Sequence, residues 1–313
     1  MKRNLDKVKG VIWGQAISDA WGVPYEMRTR AQIASMGGVA DGFKASSRKN
    51  GESFEAGQWS DDTEMFLCIL DAYLLDSLTS NECIDSKALA QRFVTWSKTQ
   101  LGMGKHTRAA LSAPDYLDDP LGVAARIWTE RPADAPSPNG AVMRAAAVGI
   151  LRPWDSAWTQ QTAQTVARAT HSGDKCVTSA SVIAEWISCL VTCGTLGHDS
   201  GSNRLLSVDT LALIQERFAT LDSKPMGETW KPVYAAEWAY HHATSWEHGV
   251  KAVIEAGGDT DTNAAVAGAV LGAKYGFSAI PKHLIEGLHQ PELLQDRFDR
   301  LVAGWNIETL ANR

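Results

Sequence analysis

Apolar positions recur along this chain at steps of three and four residues, and the elements they predict are helices. Leu5, Val8, Ile12, Ala16 and Ala20 share one helical face, Gly10 and Gly14 allow a neighbour to approach closely, and Gly22 and Pro24 end the run. A second helix runs from Asp61 to about Leu78 with Met65, Phe66, Ile69, Leu70 and Tyr73 on its buried side, and a third spans Ser86 to Trp96. The pattern resumes from Trp158 to the segment ARATHSGDKC, then at 176–193, 207–220, 233–243, 246–256 and 281–304. Small residues dominate at 10–20, 141–150, 178–190 and 264–273, as suits helices packed inside a bundle. Polar stretches at 44–58, 130–140, 197–204 and 222–232 read as loops, the first with the makings of a mobile lid. Alternating strand patterns are nearly absent, and no strand leads into a glycine-rich turn, which disfavours Rossmann and sandwich folds. The expectation is an all-α, compact multi-helix bundle, with one domain over 1–313 because neither a repeat nor a long linker divides the chain.

Two of these helices open on carboxylates. Gly257 and Gly258 precede Asp259, Asp261 and Thr262, and the helix that follows carries almost no side-chain bulk. Acidic groups at a helix start satisfy free amides and the dipole, so simple capping explains this stretch as well as a metal site does. The second stretch, GQWSDDTEM at 57–65, places Ser60, Asp61 and Asp62 ahead of another apolar helix, and two adjacent carboxylates exceed what a cap needs. Should both helix starts meet, four carboxylates share one pocket and repel one another unless a cation joins them. All donors are hard oxygens, which points to Mg²⁺, Mn²⁺ or Ca²⁺ rather than Zn²⁺.

Asp19, near the end of the first helix, and Glu26, just beyond it, have surface solvation as their simplest reading. Glu26 draws more interest because it follows the rigid turn VPY. The run LGMGKHTRAAL, residues 101–111, holds Gly102, Gly104 and Thr107; glycines so spaced let backbone amides face an anion, though an ordinary loop explains most such pairs. Asn139, Gly140 and Arg144 form another glycine-bearing helix entry, and His171 sits at a helix junction, where a packing role is the commoner one.

Composition narrows the function classes. Thirty basic against thirty-six acidic residues give a formal charge of −6, with no electrostatic footprint for nucleic acid. No apolar run of signal-peptide or membrane-spanning type is present, and five cysteines without a CxxC pair suit a reducing compartment, so the expected location is cytoplasmic. Cys189 and Cys193, one helical turn apart, read as small core residues. The twelve tryptophans fit either core packing or a stacking platform.

The motifs GQAISDAWGVPYE, WSDDTEM, SPNGAVMR, ATH and GGDTDTNAAVAGAVLGAKYG, in that order from about residue 8 to 290, resemble the ADP-ribosylglycohydrolase family, which includes the dinitrogenase reductase-activating glycohydrolases. The resemblance implies an all-α hydrolase with a binuclear magnesium centre, Mn²⁺ being possible, that removes ADP-ribose from modified protein side chains, most often arginine. By position, the implied metal ligands are Ser60, Asp61, Asp62, Asp259, Asp261 and Thr262, with Glu26, Asp62 and Asp261 as the catalytic set. Gly102, Gly104, Thr107, Asn139, Gly140, Arg144 and His171 match segments that line the ADP-ribose cleft. The implied partners are an ADP-ribosylated protein and ADP-ribose as product ligand, with no nucleic acid and no membrane. Two positions depart from the family pattern: Ser60 stands where most members have Thr, and Gly102 where many carry Asp. The second keeps open a non-catalytic binder of ADP-ribose or modified protein, and a hydrolase of another linkage such as serine, a nucleobase or O-acetyl-ADP-ribose.

Overall fold

The computed structural model describes residues 4–48, 51–77, 83–98, 101–196 and 211–311. Helices α1 (Leu5–Gly22), α2 (Arg30–Ser35), α3 (Asp61–Ala72), α4 (Ser86–Trp96) and α5 (Lys105–Leu111) come first. Then follow α6 (Pro120–Thr129), α7 (Ala146–Leu151), α8 (Ser156–Arg168), α9 (Asp174–Cys193) and α10 (Leu211–Phe218). The last five are α11 (Lys231–His242), α12 (Trp246–Glu255), α13 (Thr260–Tyr275), α14 (Lys282–Glu286) and α15 (Pro291–Ala311). The expected all-α architecture is what the chain adopts. Strand is confined to two-residue pairs among the described residues: β1 (Arg28–Thr29) runs antiparallel to β4 (Gly257–Gly258), and β2 (Ser46–Ser47) to β3 (Ser53–Phe54).

Helix α13 is the axis of the bundle, buried from Thr260 through Ala273. From Ala264 to Ala273 it is apolar or small on every side, as a helix enclosed by others must be. Helix α1 lies along it at a separation only glycine permits. A methyl on Gly14 would come 2.3 Å from Gly268 O, and one on Gly10 would come 2.5 Å from Gly272 O. Trp246, fully buried on α12, donates its indole N–H to Gly268 O at 3.1 Å and so closes the third side.

This close contact carries Asp19 into the interior, where it is fully buried, against the expectation of surface solvation. Its carboxylate accepts from the Ser60 and Thr63 amides at 3.1 and 3.0 Å and from Thr63 Oγ1 at 2.6 Å. Helix α1 therefore holds the start of α3 with a side chain from outside that helix, satisfying donors that every helix N-terminus leaves open.

Other expectations shift at their edges. The 141–150 segment is a short 3₁₀ turn, Val142–Arg144, followed by α7, and 281–304 divides into α14 and α15. Helix α2 went unpredicted although Thr29 and Gln32 form a capping box, as did α6, which Asp119 caps and Pro120 opens. The 44–58 loop contains the β2–β3 pair, and the 197–204 loop and residues 207–210 lie outside the described residues. Trp13, Trp21, Trp59, Trp96, Trp158, Trp186, Trp246 and Trp305 are all buried, so most tryptophans serve packing. Cys189 is half-buried and Cys193 exposed, so neither is the core residue expected. Helix α9 is long and apolar enough to cross a membrane by composition, with mean hydropathy 1.6, but 67% of that stretch is buried inside the bundle.

Candidate functional site

The two acidic helix starts meet at one cleft of about 210 Å³. Ser60 caps α3: its hydroxyl accepts from the Asp62 amide at 3.4 Å and donates to Asp62 Oδ2 at 3.0 Å, which leaves Asp61 and Asp62 in the first turn facing the cleft. At α13 the backbone arrives through Gly257 and Gly258, both left-handed with φ of 78° and 89°. A side chain on Gly258 would strike Leu221 O at 2.2 Å. Asp259 occupies the cap position of α13 yet makes no capping bond; its Oδ2 accepts instead from Asn139 Nδ2 at 2.9 Å. The capping explanation therefore fails for that residue. Glu26, Asp259 and Asp261 bring one carboxylate oxygen each within 4.8 Å of one another.

Burial, followed by neighbouring negative charge, sets the protonation of this group. The Asp61, Asp62 and Asp259 carboxyls lie well above the usual range, burial first and Asp261 or Asp19 next. Glu26 is pushed up to about 9 by burial and then by Asp261, and Asp19 to about 7 by the same pair of causes. Asp62 Oδ1 is buried without a hydrogen-bond partner. An unpartnered buried carboxylate oxygen among five other acids, with hydroxyls from Ser60 and Thr262 close by, is a donor set that fits hard divalent cations.

A cation already reaches this cluster from the chain itself. Arg48 Nη2 lies 2.6 Å from Glu26 Oε2 and 3.0 Å from Asp261 Oδ2, with the guanidinium 4.8 Å from the centre of the Phe54 ring. Sequence reasoning passed over Arg48, because one basic residue in a polar loop carries no signal of where the loop will fold back.

The same cleft holds the other predicted positions. Gly102, Gly104, Thr107, Asn139, Gly140 and His171 all line the cleft, joined by Lys105, His106 and Gly227. Gly140 has no alternative: a Cβ there would lie 2.6 Å from His171 Cε1 and 3.2 Å from Thr107 Oγ1. His171 is fully enclosed, and burial, then His106 and Arg144, hold it well below the usual histidine range and hence neutral. Its tautomer is set from behind. Arg144 Nη2 donates to one lone pair of Thr170 Oγ1 at 2.7 Å, which leaves the Thr170 hydroxyl proton free for His171 Nδ1, also at 2.7 Å. The N–H of His171 is then on Nε2, the atom beside Gly140.

Arg144 itself is a correction to the predicted cleft contacts. It is fully buried, is absent from the cleft wall, and donates to Gly140 O at 2.8 Å and Val166 O at 2.9 Å. It braces the loops that form the wall. Ser60 likewise lies beneath Asp62, outside the lining.

The sequence model of the family described as ADP-ribosylglycohydrolase matches residues 1–310. The chain belongs to the ADP-ribosylglycohydrolase family. As a member it is 26% identical to an ADP-ribosylarginine hydrolase, Tri1, of Pseudomonas putida, over 95% of this chain and 79% of that protein. It is 24% identical to the ADP-ribosyl-[dinitrogen reductase] glycohydrolase of Rhodospirillum rubrum over 88% of each. A solved structure titled ADP-ribosylglycohydrolase-related protein complex shares the fold, with a TM-score of 0.71 at 22% identity, covering 96% of this chain and 98% of that one. Within the ADP-ribosylglycohydrolase fold, then, the glycine turns and the α1–α13 contact described above are what hold the acidic cluster in place.

Proposed function

We propose that this chain is a metal-dependent hydrolase that releases ADP-ribose from modified protein side chains, with the N-glycosidic bond to arginine as the linkage. The observation that carries this reading is the meeting of Asp61, Asp62, Asp259 and Asp261 from two distant helix starts, with Asp62 Oδ1 left without a partner. Ser60, Asp61, Asp62, Asp259, Asp261 and Thr262 would hold two Mg²⁺ ions, or Mn²⁺ in their place. Such ions, when bound, supply a water of lowered pKa and a grip on ribose hydroxyls.

The rest is work for the chain's own groups. Glu26, at the edge of the carboxylates, orients the attacking water; burial and Asp261 hold it protonated in the metal-free protein, and in its ionised form it accepts that water's proton at a carboxylate oxygen. Asn139 fixes Asp259 through its side-chain amide. Lys105, Thr107 and His171 Nε2–H stand along the cleft wall as donors suited to the diphosphate. Glycosidic cleavage builds positive charge on the ribose, and the carboxylates favour that charge. For the leaving group, the seat of Arg48 between Glu26 and Asp261 supports a guanidinium as the group that these acids receive.

The test is release of ADP-ribose from arginine-modified protein with Mg²⁺ present and again after chelation, beside a serine-modified substrate. Metal-dependent release from the arginine substrate supports the reading. Release from serine alone moves the linkage. Binding of ADP-ribose without release from either substrate replaces hydrolysis with recognition, the alternative that Gly102 keeps open.

A further inference from the structure

A second cavity, about 440 Å³, opens beside the cleft and shares Glu26, Met27 and Arg48 with it. The Glu26–Arg48 ion pair thus stands in a common wall. The outer cavity is completed by Arg28, Gln32, Ser46 and Ser47, and among its lining residues Glu26 is the only acid. Arg28 makes no ion pair among the described residues; its Nε–H donates to Pro24 O at 3.4 Å. Its strand is tied rigidly to the catalytic end of the molecule, since Arg28 pairs with Gly258, the residue before Asp259. Met27 is a further sign of a built surface. It holds a left-handed backbone, φ 57°, which is uncommon for a long side chain, and leaves that side chain half exposed at the junction of the two cavities.

Resting on the function proposed above, we propose that the outer cavity is the acceptor-side subsite, which receives the polypeptide segment bearing the modified side chain. The bond to be cut lies at the carboxylates, and Thr107, Asn139 and His171 border the part of the cleft given to ADP-ribose. Whatever is joined to the anomeric carbon must therefore leave past Glu26, and beyond Glu26 is the outer cavity. Met27 meets the apolar stem of the modified side chain. Arg28, a cation with no partner charge among the described residues, selects segments with an acidic residue next to the modification.

The test uses the full chain with Mg²⁺ and two arginine-ADP-ribosylated peptides that differ only in an Asp or an Asn beside the modified arginine. Wild type is expected to show the lower KM for the Asp peptide. Arg28→Glu should raise that KM fivefold or more, change the KM for the Asn peptide less than twofold, and leave the Kd for free ADP-ribose, measured by calorimetry, unaltered. Arg28→Lys should restore most of the preference. Equal KM values for the two peptides in wild type, or an unchanged ratio in Arg28→Glu, would overturn the proposal. So would a weakened Kd for free ADP-ribose, because the cavity would then hold part of ADP-ribose itself. If wild type cleaves neither peptide, the hydrolase reading is what has failed. The same ratios are then read as Kd from fluorescence anisotropy of labelled peptides, with the same outcomes for and against.

Discussion

The guanidinium of Arg48 sits 2.6 Å from the Glu26 carboxylate, inside a group of acids that the sequence places on three other elements. This ion pair, with its second contact to Asp261 at 3.0 Å, supplies positive charge where the fold has gathered negative charge. It also stands in the space that a divalent cation bound to Glu26, Asp259 and Asp261 would share.

Replacing Arg48 by Gln should therefore act in opposite directions on the metal-free and metal-bound protein. In chelator the variant loses charge-assisted hydrogen bonds at a side chain only 16% exposed, and stability should fall by about 2 kcal/mol. Affinity for Mg²⁺ or Mn²⁺ should rise about tenfold, because no guanidinium has to be displaced. Thermal melting in chelator and a calorimetric metal titration measure the two effects, and an unchanged affinity would mean that guanidinium and metal coexist.

The raised carboxyl groups make stability depend on pH. A group whose folded pKa exceeds its unfolded value binds its proton more tightly in the native state, so it stabilises most below the unfolded pKa and loses that contribution as pH rises. For Asp19 the loss runs from about 4 up to about 7, and for Glu26 up to about 9. Metal-free protein should accordingly melt at falling temperature between pH 5 and pH 8, and saturating Mg²⁺ should flatten that slope. A chelated protein whose melting temperature rises across this interval would contradict the assignment of these acids.

Asp261→Asn keeps shape and removes the charge on which every neighbouring acid depends. Turnover should drop by more than about a thousandfold, and metal affinity by at least about tenfold, with the helical circular dichroism spectrum unchanged. Substantial residual activity would remove Asp261 from the catalytic set.

Asp19→Ala tests positioning rather than chemistry. Three buried donors, the Ser60 and Thr63 amides and the Thr63 hydroxyl, lose their acceptor, so stability should fall by about 3 kcal/mol in denaturant titrations. A loss of about 1 kcal/mol or less would show that α3 holds its own N-terminus.

Asp19 and Arg48 also mark where sequence reading reaches its limit. The helices around Ser60 and Asp259 were legible because their signals are local: glycine or a small polar residue, carboxylates, then apolar or small residues. Gly102, Gly104, Thr107, Asn139, Gly140 and His171 were legible through resemblance, and the fold does bring them to one wall. What makes Asp19 structural is a partner more than forty positions away, and what makes Arg48 part of the site is the return of a loop onto α13. No periodicity records either event. Arg144 was misplaced for a related reason, since in a segment buried all round the sequence does not say which side chains face the cavity and which face the core.

Gly102 offers a test of the fold against the family pattern. Its φ is 90°, and a Cβ there would lie 2.7 Å from Asp61 Oδ1 and 2.9 Å from Arg48 Nη1. Installing the acid that the family resemblance implies at this position should thus lower activity here, about tenfold or more, and lower the melting temperature as well. An increase in kcat on Gly102→Asp would show that the loop adjusts to take the missing group.

The close contact of α1 with α13 bears on how the protein is made. Gly10 and Gly14 leave the ribosome more than 250 positions ahead of the carbonyls they must lie against, at Gly272 and Gly268. Until α13 has been synthesised, α1 has no mate and half of the acidic cluster does not yet exist. A chain cut short anywhere before Thr260 therefore has an incomplete core and lacks Asp261 and Thr262, so premature termination yields a substrate for proteases and chaperones in place of a partly active enzyme.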